Sequence, residues 1–556
     1  MRKKLLFTAS ILFLFGLTSP AVAGGGSAGS LKKQVEVLTA ELEALKARIE
    51  ASESETGEEL TELQTRLDKT ELHSATDKIS WGIDMRVRGD SIHYKDVATA
   101  PEALLGAFFT PVTQGGFNGA TPQQIQQAIG QMTMAGMVPP AEKRDFDNDS
   151  ILTNRLRLNM KAKINENLDF QGRITSYKVF GDSTGVKAYN GLNDVTFDGN
   201  STSLPRGDQL RLERAYFNLK GDWGEVPVNF SLGRRPSTEG PPLEYRNNSL
   251  VGGSPLAHII NWQFDGASLA FGLEEVTGLP GFDFKLCYGV GFESGWNNDP
   301  SPINGVDDVH MLGFISQLYG DGETSVTMNY AHAFDITDGF AGQTVQPFYV
   351  SRNPDGTLSF VPNSGNFISV VNPETEIGDW DAVTLLFTHN ASETFGADVD
   401  LFLSLAYSHT DPSNVSNIAF YQMMGQGLLS SGGNLDAEDG FSLYTGTVLP
   451  VYNGSRFGLE YNYGSKYWFN FTGAEDSLVG SKLAVRGHVF EAYFMQPVYK
   501  DYFFVTLGAQ FYDYDYTGSG NPLGAPVSIS SLTALDALNP VLDQVWNGYL
   551  SATVRF

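Results

Sequence analysis

The residues best suited to chemistry in this 556-residue chain are basic, and they keep to alternate positions. Arg86, Arg88, Arg155, Arg157, Lys161, Lys163 and Arg173 occupy positions opposite the apolar ones, as in Leu156-Arg157-Leu158, and Arg211, Arg214, Arg234 and Arg235 continue the set. Cations at every second residue can line one wall of a water-filled passage and sort solutes by charge. A basic side chain facing hydrocarbon at a bilayer midplane costs roughly 2–4 kcal/mol. Eleven of them exceed the about 5–15 kcal/mol that stabilises a whole domain, so in a membrane wall these residues must face inward. The expected arrangement is a basic ladder opposite an acidic wall, with a transverse field at a constriction. The alternative is that they pair with carboxylates such as Asp84, Asp169 and Glu213 and merely fill the wall.

Other chemistry is weaker. Asp145, Asp147 and Asp149 alternate in one loop, but the Gly and terminal Glu of a calcium loop are missing, which reads as a solvated acidic loop. The eight histidines show no HExxH or HxH spacing, so no zinc site is expected. Ser404, His389 and His409 lie on neighbouring predicted strands without a glycine elbow, and no enzyme activity is expected. The single cysteine, Cys287, excludes a disulfide framework and a CxxCH haem site, and reads as a small apolar strand residue. No cofactor is expected.

These side chains need elements to position them. Arg2, Lys3 and Lys4, the apolar run Leu5–Leu17 and Ala21-Val22-Ala23 form an export leader, residues 1–23, of the kind handled by the Sec pathway. Residues 24–77 read as a periplasmic coiled coil. Leu31, Val35, Leu38, Leu42, Leu45 and Ile49 make a heptad seam, and Leu60, Leu63 and Leu67 resume it in a shifted frame after Gly57. A stripe this apolar on a helix this polar predicts oligomerisation, with a homotrimer favoured over a lone helix folded on the next domain.

From Trp81 the period becomes two. Trp81, Ile83, Met85 and Val87 alternate with polar residues, as do Val399, Leu401, Leu403, Leu405 and Tyr407. Segments of about ten residues with one apolar face, joined alternately by short turns and long polar loops, predict an all-β transmembrane antiparallel barrel over residues 78–556. Short turns are read at Asn165–Asn167, Asp265-Gly266, Tyr319–Glu323, Pro450–Gly454 and Pro497–Asp501. Seventeen runs stand out, and one more between Pro236 and His258 would restore even parity. Eighteen strands are therefore expected, or sixteen if two weaker runs pair outside the wall. Loop 93–149, with a helix-like run over 122–137, is the candidate to fold into the lumen, its alternative being an external cap. Leu550, Ala552, Val554 and Phe556 form a terminal amphipathic strand ending on an aromatic residue, read as a barrel-assembly signal for the assembly machinery.

Charge is uneven: residues 261–556 hold 8 basic and 33 acidic side chains of a chain whose net charge is −27. Such acidity argues against nucleic-acid binding.

The stretches Asp147–Leu158, Tyr177–Asp182, Arg214–Phe217, Gly233–Pro242 and Lys285–Gly289 resemble a family of uncharacterised porin-like outer-membrane proteins of Gram-negative proteobacteria, grouped only as a domain of unknown function. The resemblance covers about residues 78–556 and implies a barrel in the cell outer membrane, preceded by a short coiled coil, in contact with outer-membrane lipid. It implies no substrate and no site residues. The expected function is passive diffusion of small hydrophilic solutes or ions. The alternative is a structural barrel that anchors the envelope or sheathes a periplasmic or multihaem cytochrome partner.

Overall fold

The computed structural model describes residues 33, 36–37, 39–47, 79–181, 210–249, 252–293, 306–339, 342–344, 348–364, 369–371 and 373–556. The chain divides into two units, Met1–Asp77 and Lys78–Phe556. In the first, residues 39–47 are helical, and Leu42 and Leu45 are exposed. Leu31, Val35, Leu38 and Ile49 of the expected seam lie outside the described residues, as does the leader.

The second unit is a closed antiparallel barrel of sixteen strands, the smaller of the two expected numbers. In chain order these are β1 (Ile79–Thr99), β2 (Glu142–Lys163), β3 (Leu168–Val179), β4 (Leu210–Trp223), β5 (Val226–Arg234), β6 (Asp265–Gly272), β7 (Asp283–Phe292) and β8 (Val309–Gly320). There follow β9 (Thr324–Thr337), β10 (Glu376–Asn390), β11 (Asp400–Pro412), β12 (Glu438–Pro450), β13 (Arg456–Gly464), β14 (Gly487–Tyr499), β15 (Phe503–Tyr514) and β16 (Gln544–Arg555). Each strand pairs with its neighbours in sequence, and β16 returns to β1. Closure removes both sheet edges, so the ladder leaves no row of unpaired backbone groups in an apolar medium. The final bonds of the seam are Ile83 N–H to the Phe556 carbonyl, 2.9 Å, and Phe556 N–H to the Ile83 carbonyl, 3.0 Å.

Period two decides which side chains meet which medium. Leu156, Leu212, Leu232, Leu286, Leu405, Leu459, Leu507 and Leu550 are exposed on the outer face. On the same strands Arg155, Ser231, Ser404, Asn462, Gln510 and Asn547 are buried on the inner face. Aromatic side chains gather at both ends of the wall. Trp81, Trp223, Tyr452, Tyr499 and Tyr502 mark the turn end. Near the loop end the Phe511 and Trp546 rings lie 4.2 Å apart, and the Tyr330 and Tyr407 hydroxyls donate to Asp381 (2.5 Å) and Asp439 (2.6 Å). An apolar band between two aromatic belts matches a bilayer core and its interfaces. Among the described residues no helix is long and apolar enough to cross a membrane.

At the turn end connections are short and locally encoded. Between β2 and β3 the Asn165 side-chain oxygen accepts from the Asn167 and Leu168 N–H groups, at 2.9 and 2.8 Å. At the loop end they are long. Among the described residues no strand lies between Pro236 and His258, where one was expected. Residues 235–264 form one connection from β5 to β6, and Asp265-Gly266, read as a turn, opens β6. Just beyond, Ile259, Ile260 and Trp262 are buried against the inside of the barrel rather than in its wall.

Residues 100–141 carry helix α1 (Glu102–Phe109) and helix α2 (Pro122–Met134). Thr121 starts α2 with a reciprocal capping box: its hydroxyl accepts from Gln124 N–H, and the Gln124 side chain accepts from Thr121 N–H. Leu104, Phe108, Phe117 and Ile125 pack on Phe348, Phe360, Phe420 and Leu535 from three other loop-end connections. The segment expected inside the lumen thus joins the external cap.

Candidate site: ion pairs across the lumen

Two other connections enter the barrel. Residues 235–264, with helix α3 (Leu243–Asn247), cross from β5 toward β11–β16. Leu256 and Ala257 pack on Leu386, Phe402 and Tyr444, and the Tyr245 ring stacks on Phe402 at 5.6 Å. Residues 465–486 enter from the other side, and the two segments meet through backbone bonds. Asn261 N–H donates to the Phe471 carbonyl at 2.7 Å, and Phe471 N–H to the Ile259 carbonyl at 3.0 Å. Two glycines allow the first connection to fold so tightly. A Cβ on Gly240 would stand 1.8 Å from the Pro255 carbonyl oxygen, and one on Gly253 would stand 2.0 Å from that of Thr238.

The inward segments bring carboxylates to the basic wall. Glu239 receives Arg157 at 2.6 Å and Arg173 at 3.2 Å, with Arg155 and Arg214 at 3.7 and 3.8 Å. Asp476 receives Arg86 at 2.6 Å and Arg155 at 2.7 Å. The wall adds Asp84, 2.8 Å from Arg155, and Glu213, 3.1 Å from both Arg157 and Arg173. Burial opposes ionisation of Glu239 and Asp476, but the surrounding guanidiniums outweigh it and hold both carboxyls well below the usual range.

The remaining basic residues lie elsewhere. Arg88 pairs with Asp90 at 2.7 Å and covers the Tyr549 ring at 4.1 Å. Lys161 and Lys163 are exposed at the turn end. Arg211, opposite Thr175, carries the inner face of β4 toward the loop end. Arg234 falls one residue past inward Gly233, on the opposite parity, and pairs with Asp265 at 2.9 Å. Arg235 begins the inward connection and has no carboxylate in salt-bridge range among the described residues.

A second charged cluster escaped sequence reasoning. Lys482, from the second inward segment, contacts Glu460 and Glu491, the latter at 2.5 Å. Arg246 of α3 reaches Glu475 at 2.8 Å and Glu491 at 3.6 Å. Tyr444 and Tyr493 donate to Glu460, and Tyr549 to Glu491. Nearby, burial pushes the His258 imidazole down to about 3, and its two ring nitrogens face the Ser404 and Ser442 hydroxyls, both at 2.8 Å. Glu244 of α3 is pushed up to about 7, by burial first and then by Glu460 and Asp400. Arg486 is fully buried and donates to the carbonyls of Trp468, Thr517 and Asn521, at 2.9, 2.9 and 3.2 Å. No sequence motif marked these residues; of the inward carboxylates, Glu239 alone fell in a marked stretch, Gly233–Pro242. Asp145 and Asp147 pair with Lys95, and Asp147 also with His93. No group of three or more metal-binding side chains occurs among the described residues.

A family model described as a protein of unknown function, DUF3373, matches residues 145–556. The chain belongs to that family. No curated protein matches it. Among solved structures it is similar to OprB of Pseudomonas putida, at 10% identity and TM-score 0.39, covering 88% of this chain and 96% of that one. It is also similar to the outer membrane protein OmpT of Vibrio cholerae in its trimer form (10%, TM-score 0.37, 86% and 99%) and to an anion-selective porin from Comamonas acidovorans (12%, TM-score 0.38, 86% and 100%). Likenesses this low carry nothing about the function of the DUF3373 chain.

Proposed function

We propose that this DUF3373 protein is an outer-membrane pore of the porin type, in which small hydrophilic ions or solutes pass a constriction built by two inward segments. One observation carries the reading: arginine–carboxylate pairs lie across the lumen of a closed wall whose outside is apolar. Side chains in this belt keep partial contact with water, with Asp84 20% and Arg86 and Arg173 each 13% exposed. Opposed fixed charges at a narrow point select among ions by field as well as by size. Export through the Sec pathway, insertion by the barrel-assembly machinery and a homotrimer held by residues 24–77 complete the proposal.

The test is single-channel recording in planar bilayers, with reversal potentials in a salt gradient. A stable conductance is expected, together with a selectivity that changes in the Arg86→Ala, Arg157→Ala double variant. Folded protein that never conducts would favour the second reading, a structural barrel anchoring the envelope through its coiled coil. Burial of inward residues on β11–β16, such as Ser404, Tyr444 and Tyr512, supports that reading. The sheath reading has less support, because the chain's own segments occupy the space a cytochrome would need.

A further inference from the structure

The inner wall from β6 to β9 differs from the rest of the lumen. Around the first inward connection its inward positions are mostly small or apolar, Gly266, Gly289, Met311, Gly313, Ile315 and Ala331, with Asn329 among them. Between this wall and the first inward connection lies a partly open cavity of about 70 Å³. Pro236, Ile260 and Phe264 close it from the connection, and Cys287 and Met311 close it from the wall. One cation enters this apolar space. Arg235 lines the cavity, and neither its Nε nor its Nη1 has a hydrogen-bond partner. The arginines of the neighbouring wall are matched by carboxylates, and this one is not.

Further donors stand beside it. Ser231, Ser268 and Cys287 face each other in register on β5, β6 and β7, at one height of the wall. The Ser231 and Ser268 hydroxyls are buried and have no partner. Lys285, two residues from Cys287 on the same face, makes a single 3.3 Å bond to Ser254, which also lines the cavity. Leaving buried donors unmatched is costly, most of all for a charged group. An oxyanion in the cavity gives the free N–H groups of Arg235 a partner, and the apolar walls suit a hydrocarbon body.

We infer that this cavity binds a small organic carboxylate, its carboxylate on Arg235 and its apolar body between Phe264, Ile260 and Met311. The inference does not depend on conduction, because binding is read in detergent without a membrane. Benzoate is the probe, measured by equilibrium dialysis against the full folded chain. One saturable site per chain is expected. Affinity should fall about tenfold to a hundredfold in Arg235→Gln, the size of a lost charge-assisted bond. Benzamide, of the same shape but uncharged, should compete at least about tenfold more weakly, and so should inorganic phosphate, which has no apolar body. Cys287, the only cysteine, gives a readout that needs no substitution: benzoate should slow its labelling by a thiol reagent, and benzamide should not. No saturable benzoate binding overturns the inference, as does equal binding by a folded Arg235→Gln variant. Phosphate competing as well as benzoate also overturns it, because the apolar walls then play no part. Unchanged Cys287 labelling in the presence of benzoate overturns it even if Arg235→Gln fails to fold.

Discussion

Replacing Glu239 by Gln keeps the shape of the side chain and removes its charge. The carboxylate holds Arg157 and Arg173 at 2.6 and 3.2 Å and lies within 4 Å of Arg155 and Arg214. Removing one partner from a buried ion pair costs about 3–5 kcal/mol, because the other charge stays behind uncompensated. Glu213 still serves Arg157 and Arg173, which puts the expected cost near the lower end, about 3 kcal/mol. The wall strands are held by their ladder, so the loss falls on the contact between the first inward connection and the wall. About 3 kcal/mol shifts that docked–undocked equilibrium by about a hundredfold. In planar bilayers, Glu239→Gln should therefore show a larger open fraction than the parent chain. The reversal potential should move toward anions, because four guanidiniums have lost a shared counter-charge. Lys161→Gln, at an exposed turn-end residue, is the control and should change neither. Folded, heat-modifiable Glu239→Gln with parental open fraction and selectivity would refute the view that Glu239 docks the segment.

Four further outcomes are expected. Glu244 has a folded-state pKa raised to about 7 from an ordinary 4.5, so its contribution favours the docked segment fully below 4.5 and is lost as pH rises toward 7. Open fraction should accordingly rise more, or fall less, from pH 5 to 7 in the parent than in Glu244→Gln, where His258 on the same segment, held down by burial, still favours docking as pH rises toward 6.5. Glu239 and Asp476, held low, should remain ionised through this window, their contribution being lost only in strong acid. Arg486→Ala strips three buried carbonyls of their donor at about 1–3 kcal/mol each, and limited proteolysis of the folded barrel should give new cuts within 465–486 or 515–543. An unchanged digest would contradict the clamp. Lys482→Met leaves Glu460 and Glu491 buried without their shared cation, and the compact electrophoretic form should be lost at a lower temperature than in the parent. Deleting residues 24–77 should turn a trimer into a monomer by native mass spectrometry. A trimer that survives deletion rules out the helical segment as its cause.

The wall was legible because period two is a local property: Leu156-Arg157-Leu158 states its own facing, and closure of the seam follows from many such statements. What lay inside was not. Arg155 and Asp476 are 321 residues apart, and no local pattern couples them. The strand placed between Pro236 and His258 to restore even parity failed for a related reason: parity counts crossings of the wall, and the described residues there run inside the barrel instead of crossing. Arg234 and Arg235 follow each other, and adjacent residues of a strand face opposite ways, so both could not belong to one ladder. Register separates them: Arg234 goes to Asp265 and Arg235 into the lumen.

The separation of charge along the chain bears on how the barrel is made. The first five strands carry most of the cations, yet the carboxylate that Arg86 and Arg155 share arrives only with Asp476, after thirteen strands. Asp84, Asp90, Glu213 and Glu239 already serve most of the belt from within the first half, so a sheet ending before Asp476 leaves Arg86 as the arginine in want of a carboxylate. Docking of the late segment on the early strands supplies it, which ties the two halves of the wall together across the seam.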